Sequence, residues 1–459
     1  MSLKLRIYKF WTHRHRRNLQ PMQIIALVFA AIILLGTFLL ALPVSSRNGQ
    51  SCGILPALFT ATSSTCVTGL ILFDTWTQWS GFGQIVIISL IEIGGLGFMS
   101  VASLIVFLLR KKVGLKQRMV MAQALSVNDM DGVVRLQKWV LFGSLSIQLA
   151  GALILFLRFL PEYGLANAAK WGVFHAISGF CNAGFDIVGC IQPGASMMVF
   201  NDDPVVLVTL MALVVLGGLG FFVWEEVVRL HSWKKFSVYT KLVLLASFVL
   251  LFGGAAAFCL LEWNNPQTMG PMPAWQKILN GFFQSVTVRT AGFAAVDQAC
   301  LTDGAKAVSL FLMLIGGCSG STAGGMKVVS MLVLILFIWA RARGRHTVCV
   351  FKRTIPEKQA MDAMTIASIM VGLAVFGAVF ISATNPVGFT DALFETVSAL
   401  ATVGLTAGVT PLLGIPAQLL IVIFMYFGRV GVLTLSLGFL MGNRAEDRFQ
   451  YANTNLLIG

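Results

Sequence analysis

Long apolar runs separated by short polar stretches set the pattern of the chain. A hydrocarbon core about 30 Å thick needs roughly 20 apolar residues in a helix. Runs of that order fall at 22–43, 83–109, 139–160, 204–228, 242–262, 307–340, 361–383 and 415–441, which predicts eight spans. Between the members of each successive pair lies a shorter semi-apolar stretch, too short to cross: 56–70, 171–185, 276–293 and 390–405. The basic start, Lys4 to Arg17, leads into the first run with no small-residue cleavage site, so that run is expected to span and stay.

Composition agrees with this pattern and narrows it. Of 459 residues, 57% are hydrophobic and 11% charged, against about 25% charged in soluble globular chains. A soluble enzyme and a disordered tail are both poor fits. The net charge of +14 invites a nucleic-acid reading, but the basic residues lie between apolar runs. Twenty-five of the 33 fall in the N-terminal segment, 110–138, 229–241, 341–358 and 444–448. With both termini and those connectors cytoplasmic, the positive-inside rule holds at every second loop. The surplus is then a topology signal, and no nucleic-acid partner is expected. Eight cysteines are scattered singly, without zinc spacing, and predict neither a metal centre nor a disulfide framework.

A four-fold internal repeat decides the architecture. Each outside connection carries a small-residue segment ending in Gly and then Leu or Phe: Thr65 to Leu70, Phe180 to Phe185, Val288 to Phe293 and Leu400 to Leu405. The four glycines, Gly69, Gly184, Gly292 and Gly404, are 115, 108 and 112 residues apart. A second glycine cluster follows each one: Gly94-Gly-Leu-Gly97, Gly217-Gly-Leu-Gly220, Gly316-Gly-Cys-Ser-Gly320 and Gly428-Arg-Val-Gly431. The unit is span, short re-entrant helix, glycine loop, span. Irregular backbone at membrane depth is tolerated only where it is buried in protein or lines a water-filled path. Four such loops of one polarity can surround a single axis, and rings of backbone carbonyls replace the hydration shell of a monovalent cation. The negative C-terminal ends of the short helices favour cations there. For the Gly-Gly-Leu-Gly clusters, close helix packing is an equal reading.

This motif set resembles the Trk/Ktr/HKT superfamily of potassium transporters, over nearly the whole chain from about residue 22. The Ktr branch fits better than the TrkH branch, which usually carries two extra N-terminal spans. The resemblance implies an all-α membrane fold of eight transmembrane helices in four M1–P–M2 repeats around one pore. The units would be a basic N-terminus (1–21), repeats at 22–110, 139–229, 230–341 and 361–441, linkers 111–138 and 342–360, and a tail at 442–459. It further implies a selectivity filter made of Val67, Thr68 and Gly69, Asn182, Ala183 and Gly184, Thr290, Ala291 and Gly292, and Thr402, Val403 and Gly404, with K+ at their carbonyls. In the plant branch a Ser at the first glycine goes with sodium permeability, so Gly69 favours potassium.

The sixth run, roughly 34 residues, would reach about 51 Å as one helix. Five glycines in ten residues, from Gly316 to Gly325, cost about 5 kcal/mol of helix propensity relative to alanine. A loop is expected there, with Ser319, Ser321 and Thr322 satisfying freed backbone groups. In the family the matching segment, here Gly316, Gly317, Ser319, Gly320, Ser321, Thr322, Gly324 and Gly325, obstructs the pore and moves on gating. Arg429 lies in mid-span, where charge is costly and usually functional. It is read as a fixed positive barrier under the filter, the alternative being a salt bridge to Glu92. Lys327 is expected to snorkel to the cytoplasmic interface, or else to be a second such charge. His175 and Glu395 read as structural, and Asp186 as a solvated loop residue.

Nothing in the spans supplies a nucleophile–base pair, paired carboxylates or metal ligands, so no enzyme is expected. A secondary cation transporter of the inverted-repeat kind is a rival, but this repeat is four-fold and parallel. A TrkH-type potassium subunit is the nearer alternative. The chain shows no nucleotide-binding fingerprint. The resemblance implies a homodimer in the bacterial inner membrane over a cytosolic KtrA-type nucleotide-binding ring, with Na+ as a coupling or activating ion. The basic connectors serve equally well as docking surfaces or as anchors on anionic lipid.

Overall fold

A computed structural model describes residues 21–97, 132–345 and 347–431. The N-terminal segment, the second half of the run 83–109, most of the linker 111–138, the end of the run 415–441 and the tail 442–459 lie outside the described residues.

The described chain is predominantly helical. In order it forms α1 (Pro21–Ala41), α2 (Ile54–Thr65), α3 (Gly81–Leu96), α4 (Val133–Cys181), α5 (Pro204–Gly218), α6 (Phe221–Leu230), α7 (Val238–Glu262), α8 (Ala274–Thr287), α9 (Asp303–Leu314) and α10 (Val328–Ala342). A small hairpin, β1 (Val348–Val350) and β2 (Arg353–Ile355), precedes α11 (Glu357–Thr384), α12 (Phe389–Ala401) and α13 (Ile415–Val430). Helix starts follow from capping. Asp203 accepts from Val205 N and Val206 N ahead of Pro204, Ser237 accepts from Thr240 N, and Thr302 accepts from Ala305 N.

Among the described residues, four helices are long and apolar enough to cross a membrane, α1, α4, α7 and α11, and a bent pair, α5 with α6, makes a fifth. The outer surface carries apolar side chains that water would disfavour, such as Phe38 at 64%, Leu149 at 72% and Leu260 at 83% exposed. Buried apolar residues form two main bodies. One gathers Trp79, Phe159, Trp171 and Phe180, the other Phe59, Phe258, Phe394 and Phe424.

Several expectations need correction. The third span and the second short helix follow each other without a loop in α4, as two helices separated by a kink at Gly164, whose positive φ of 73° breaks the helical run. The fourth run is not one straight helix: α5 and α6 meet at 95° across Leu219 and Gly220. A break was expected in the sixth run alone. Yet α3 ends at Gly97 and α13 at Gly431, both with positive φ (82° and 92°), as α5 meets α6 at Gly220 (91°). The connector 342–360 holds the β-hairpin, a small addition to the predominantly helical fold. Its turn residues Phe351 and Lys352 take positive φ.

Candidate functional site

The short helices α2, α8 and α12, together with the last part of α4, each end in a glycine turn, and the four turns meet. A Cβ built on Gly69 would lie 2.5 Å from the Ala183 carbonyl oxygen, on Gly184 2.9 Å from that of Ala291, and on Gly292 2.6 Å from that of Val403. On Gly404 it would overlap the Thr68 carbonyl oxygen. Each glycine thus abuts the carbonyl preceding the next one, and the cycle closes. Only a residue without Cβ fits, and all four have φ between 70° and 97°, where glycine is favoured.

The residue two places before each ring glycine is also left-handed: Val67 (57°), Asn182 (60°), Thr290 (68°) and Thr402 (52°). Asn adopts this region readily, but β-branched Val and Thr are genuine outliers. Strain of about 1–3 kcal/mol per residue is therefore concentrated at the ring. Schellman-type bonds hold it in three turns. Thr68 N donates to Ser63 O, Ala183 N to Ser178 O and Val403 N to Ser398 O, each at 2.8 Å. The third turn closes instead through Ala291 N to Thr287 O at 2.9 Å.

The same buried serines and threonine act a second time through their hydroxyls. Ser63 Oγ accepts from Gly69 N, and Ser398 Oγ from Gly404 N, both at 3.1 Å. Ser178 Oγ donates to Phe185 O at 2.7 Å and Thr287 Oγ1 to Phe293 O at 2.6 Å. One turn earlier, a polar side chain clasps the segment beyond the glycine. His175 takes Ile187 N on Nε2 while its Nδ1 meets Trp171 O, Gln284 pairs with Gln298, and Glu395 accepts from Thr406, Ala407 N and Thr410. Sequence reasoning missed Ser63, Ser178, Thr287 and Ser398. Their recurrence five or six places before each ring glycine was the available signal. The hydroxyl oxygens of Thr68 and Thr402, buried beside the ring, have no hydrogen-bond partner among the described residues.

The second glycine clusters both pack and break. A Cβ on Gly94, Gly217 or Gly428 would overlap the carbonyl of Thr65, Phe180 or Leu400, each four places before a ring glycine. The last glycine of each of these clusters ends or bends the helix.

Between α9 and α10 the chain from Ile315 to Lys327 is non-helical, which includes all of the expected loop. Ile315 and Met326 bridge its two ends. Cys318 N and Thr322 N donate to Gly218 O and Gly217 O, and Thr322 Oγ1 donates to Phe180 O at 3.1 Å. A Cβ on Gly324 would overlap the Thr402 hydroxyl. The loop therefore lies directly against the second and fourth turns of the ring. Gly316, Gly317, Ser319, Gly320, Ser321 and Gly325 lie in it, with Ser321 Oγ donating to Cys318 O at 2.7 Å. Phe221 N, the first residue of α6, donates to Gly320 O at 2.9 Å.

Arg429 reaches this loop from α13. Its guanidinium donates to Thr322 O and to Gly94 O, and at 3.1 Å to Gly95 O. The alternative of a bridge to Glu92 is not what the structure holds, because Glu92 accepts from Gln148 and Cys181. Nor does Lys327 snorkel: its ammonium donates to Ala323 O at 2.8 Å, since that carbonyl lies one turn back on the loop itself. At the other end of the ring, Asp186 is buried, not solvated. Burial pushes its carboxyl up to about 7, helped by the nearby Asp74 carboxylate and opposed by bonds from Val188 N and Ser196.

The model of the TrkH family, described as "Cation transport protein", matches residues 7–447. The chain belongs to that family. It is a multi-pass membrane transporter and not an enzyme. Among TrkH-family relatives, the potassium/sodium uptake protein NtpJ of Enterococcus hirae is 38% identical over 97% of this chain and 99% of its own. The Ktr system potassium uptake protein B of Bacillus subtilis is 38% identical over 94% and 95%, and that of Vibrio alginolyticus 36% over 95% and 94%. The potassium transporter TrkH of Vibrio parahaemolyticus shares the fold at a TM-score of 0.71, over 94% of this chain and 87% of that one, at 18% identity.

Proposed function

We propose that this chain is the potassium-translocating subunit of a bacterial uptake system. On this reading four span–helix–span repeats (22–110, 139–229, 230–341 and 361–441) surround one pathway, and the glycine ring is its selectivity filter. The observation that carries it is the closed cycle in which each ring glycine abuts the carbonyl preceding the next. Backbone oxygens held around one axis replace a hydration shell without side-chain charge. The relatives named for potassium uptake support the choice of ion. The loop 316–325, held by Arg429, is the obstruction beneath the filter, and its movement admits the ion to the cytosol.

Further features belong to the same reading. The termini lie in the cytosol, a side supported by the clustering of basic residues in every second connector. The likeness to Ktr system proteins supports a homodimer working with a cytosolic nucleotide-binding ring of the KtrA type. The name of NtpJ pairs potassium with sodium, which supports Na+ as a coupling or activating ion.

Potassium uptake in a bacterial strain lacking its own uptake systems, measured with and without sodium, tests the reading. Uptake that appears only when the chain is expressed is the expected result. Uptake that never depends on the chain overturns it.

A further inference from the structure

Beside the second and third ring turns, between α5 and α7, lies a cavity of about 240 Å3. Its walls are mainly apolar, with Val214 on one side and Leu251 on the other. Phe248 and Phe252 stand at its rim with 58% and 46% of their surface exposed, on the outer, bilayer-facing side of α7. Gly317 of the glycine-rich loop forms part of its inner end.

One charged group faces this space. Arg289 lies three places before the ring glycine Gly292, where the other turns carry the uncharged Cys66, Cys181 and Ala401. Among the described residues its guanidinium makes a single long hydrogen bond, from one Nη to Ser247 Oγ at 3.4 Å, and its buried Nε has no partner. Among the described residues no carboxylate pairs with it. A guanidinium offers five N–H donors and remains charged at any physiological pH. Arg429 spends its donors on three carbonyls, whereas Arg289 leaves most of its donors open toward an apolar slot. A buried charge without a counter-charge or a full set of acceptors is costly, and in a membrane protein it points to a site.

We propose that this cavity binds a long-chain fatty acid entering from the bilayer, with its carboxylate on Arg289 and its tail along α5 and α7. A carboxylate matches the guanidinium fork in shape and charge and accepts two parallel hydrogen bonds. A single acyl tail suits a narrow apolar slot with one polar end, the usual make-up of a ligand site. Gly317 at the inner end places the occupant against the glycine-rich loop, so binding is coupled to the position of that loop. The site does not depend on which cation the chain carries, and its test reads no transport.

The test is tritiated oleate binding to the full chain in nanodiscs of zwitterionic lipid. Wild-type protein is expected to bind saturably. Arg289→Gln should weaken binding by at least about 10-fold, and Arg289→Lys by less, because the charge is kept and the fork lost. Leu251→Trp, which fills the slot and leaves Arg289 in place, should also abolish it. Absence of saturable binding to the wild type overturns the proposal. So does unchanged binding in either Arg289→Gln or Leu251→Trp, or displacement by phosphatidylglycerol as effective as by unlabelled oleate.

Discussion

The glycine ring and the glycine-rich loop beneath it draw on the same residue for opposite ends. In the ring, four glycines from four turns fit against neighbouring carbonyls, and each turn is tied back to its own helix by a Schellman-type or equivalent bond. In the loop, five glycines from one segment leave a backbone whose position rests on single hydrogen bonds to Gly217, Gly218, Phe180, Phe221, Tyr239 and Arg429. Repetition makes the ring over-determined, so removing one bond leaves many. The loop occurs once, without symmetry, and Arg429 from α13 supplies a charge-assisted tie to Thr322 O, while its other bonds reach Gly94 and Gly95 of α3. A many-times-tied ring above a singly tied loop is what the proposed selection and gating require.

That contrast can be broken most sharply in the ring. Gly404→Ala places a methyl on the Thr68 carbonyl at a φ of 94° and should lower potassium transport by ~100-fold or more while protein still reaches the membrane. Gly49 has a φ of 69° but open space around it, so Gly49→Ala should leave uptake nearly unchanged. If both variants behave alike, backbone strain and not ring packing sets the effect. In the loop the sign reverses. Arg429→Ala removes charge-assisted bonds to Thr322, Gly94 and Gly95, each worth about 1.5–3 kcal/mol. Maximal potassium flux per transporter should rise by up to about 10-fold; unchanged or abolished flux at normal protein levels contradicts the assignment.

Smaller effects separate the turns from one another. Ser398→Ala orphans the buried Gly404 N–H, at about 1 kcal/mol, and should lower the potassium-over-sodium preference by about 5-fold. Ser178→Ala removes a donor from the Phe185 carbonyl, a group that tolerates loss better than an N–H does, and should cost less. The smallest effect is at the outer mouth. With the Asp186 carboxyl pushed up to about 7, it is charged above that pH and neutral below it. Folding favours the neutral acid, so its contribution to stability falls as pH rises through 7. The cation attraction has the opposite sign and is lost as pH falls. Apparent potassium affinity should drop by about 2-fold between external pH 8 and 6, and Asp186→Asn should flatten that dependence.

The ring was legible in the sequence because a glycine that must lack a Cβ in four places leaves a four-fold mark. Thr65-to-Leu70 and its three counterparts carried that mark. The loop was legible because five glycines in ten residues cannot hide inside an apolar run. The bends at Gly97, Gly220 and Gly431 were not. In each of those clusters one glycine packs against a carbonyl and another, three residues on, turns the chain, and composition does not say which does which. Ser63, Ser178, Thr287 and Ser398 were missed for a related reason: a hydroxyl in a helix most often bonds back to the preceding turn, as Ser64 does to Thr60 O. Lys327 was misread because snorkelling assumes no nearby acceptor, and the non-helical loop provides one in Ala323 O. The hairpin at 348–355 is too short for alternation to announce it.

The central claim, that the four-glycine ring selects the ion, is tested most directly by Gly69→Ser. The measurement is the potassium-to-sodium flux ratio of the purified protein in proteoliposomes. A Cβ at this site would lie 2.5 Å from the Ala183 carbonyl oxygen, so the ring must open there and the ratio should fall toward one. A folded Gly69→Ser protein whose ratio equals that of the wild type would contradict the account.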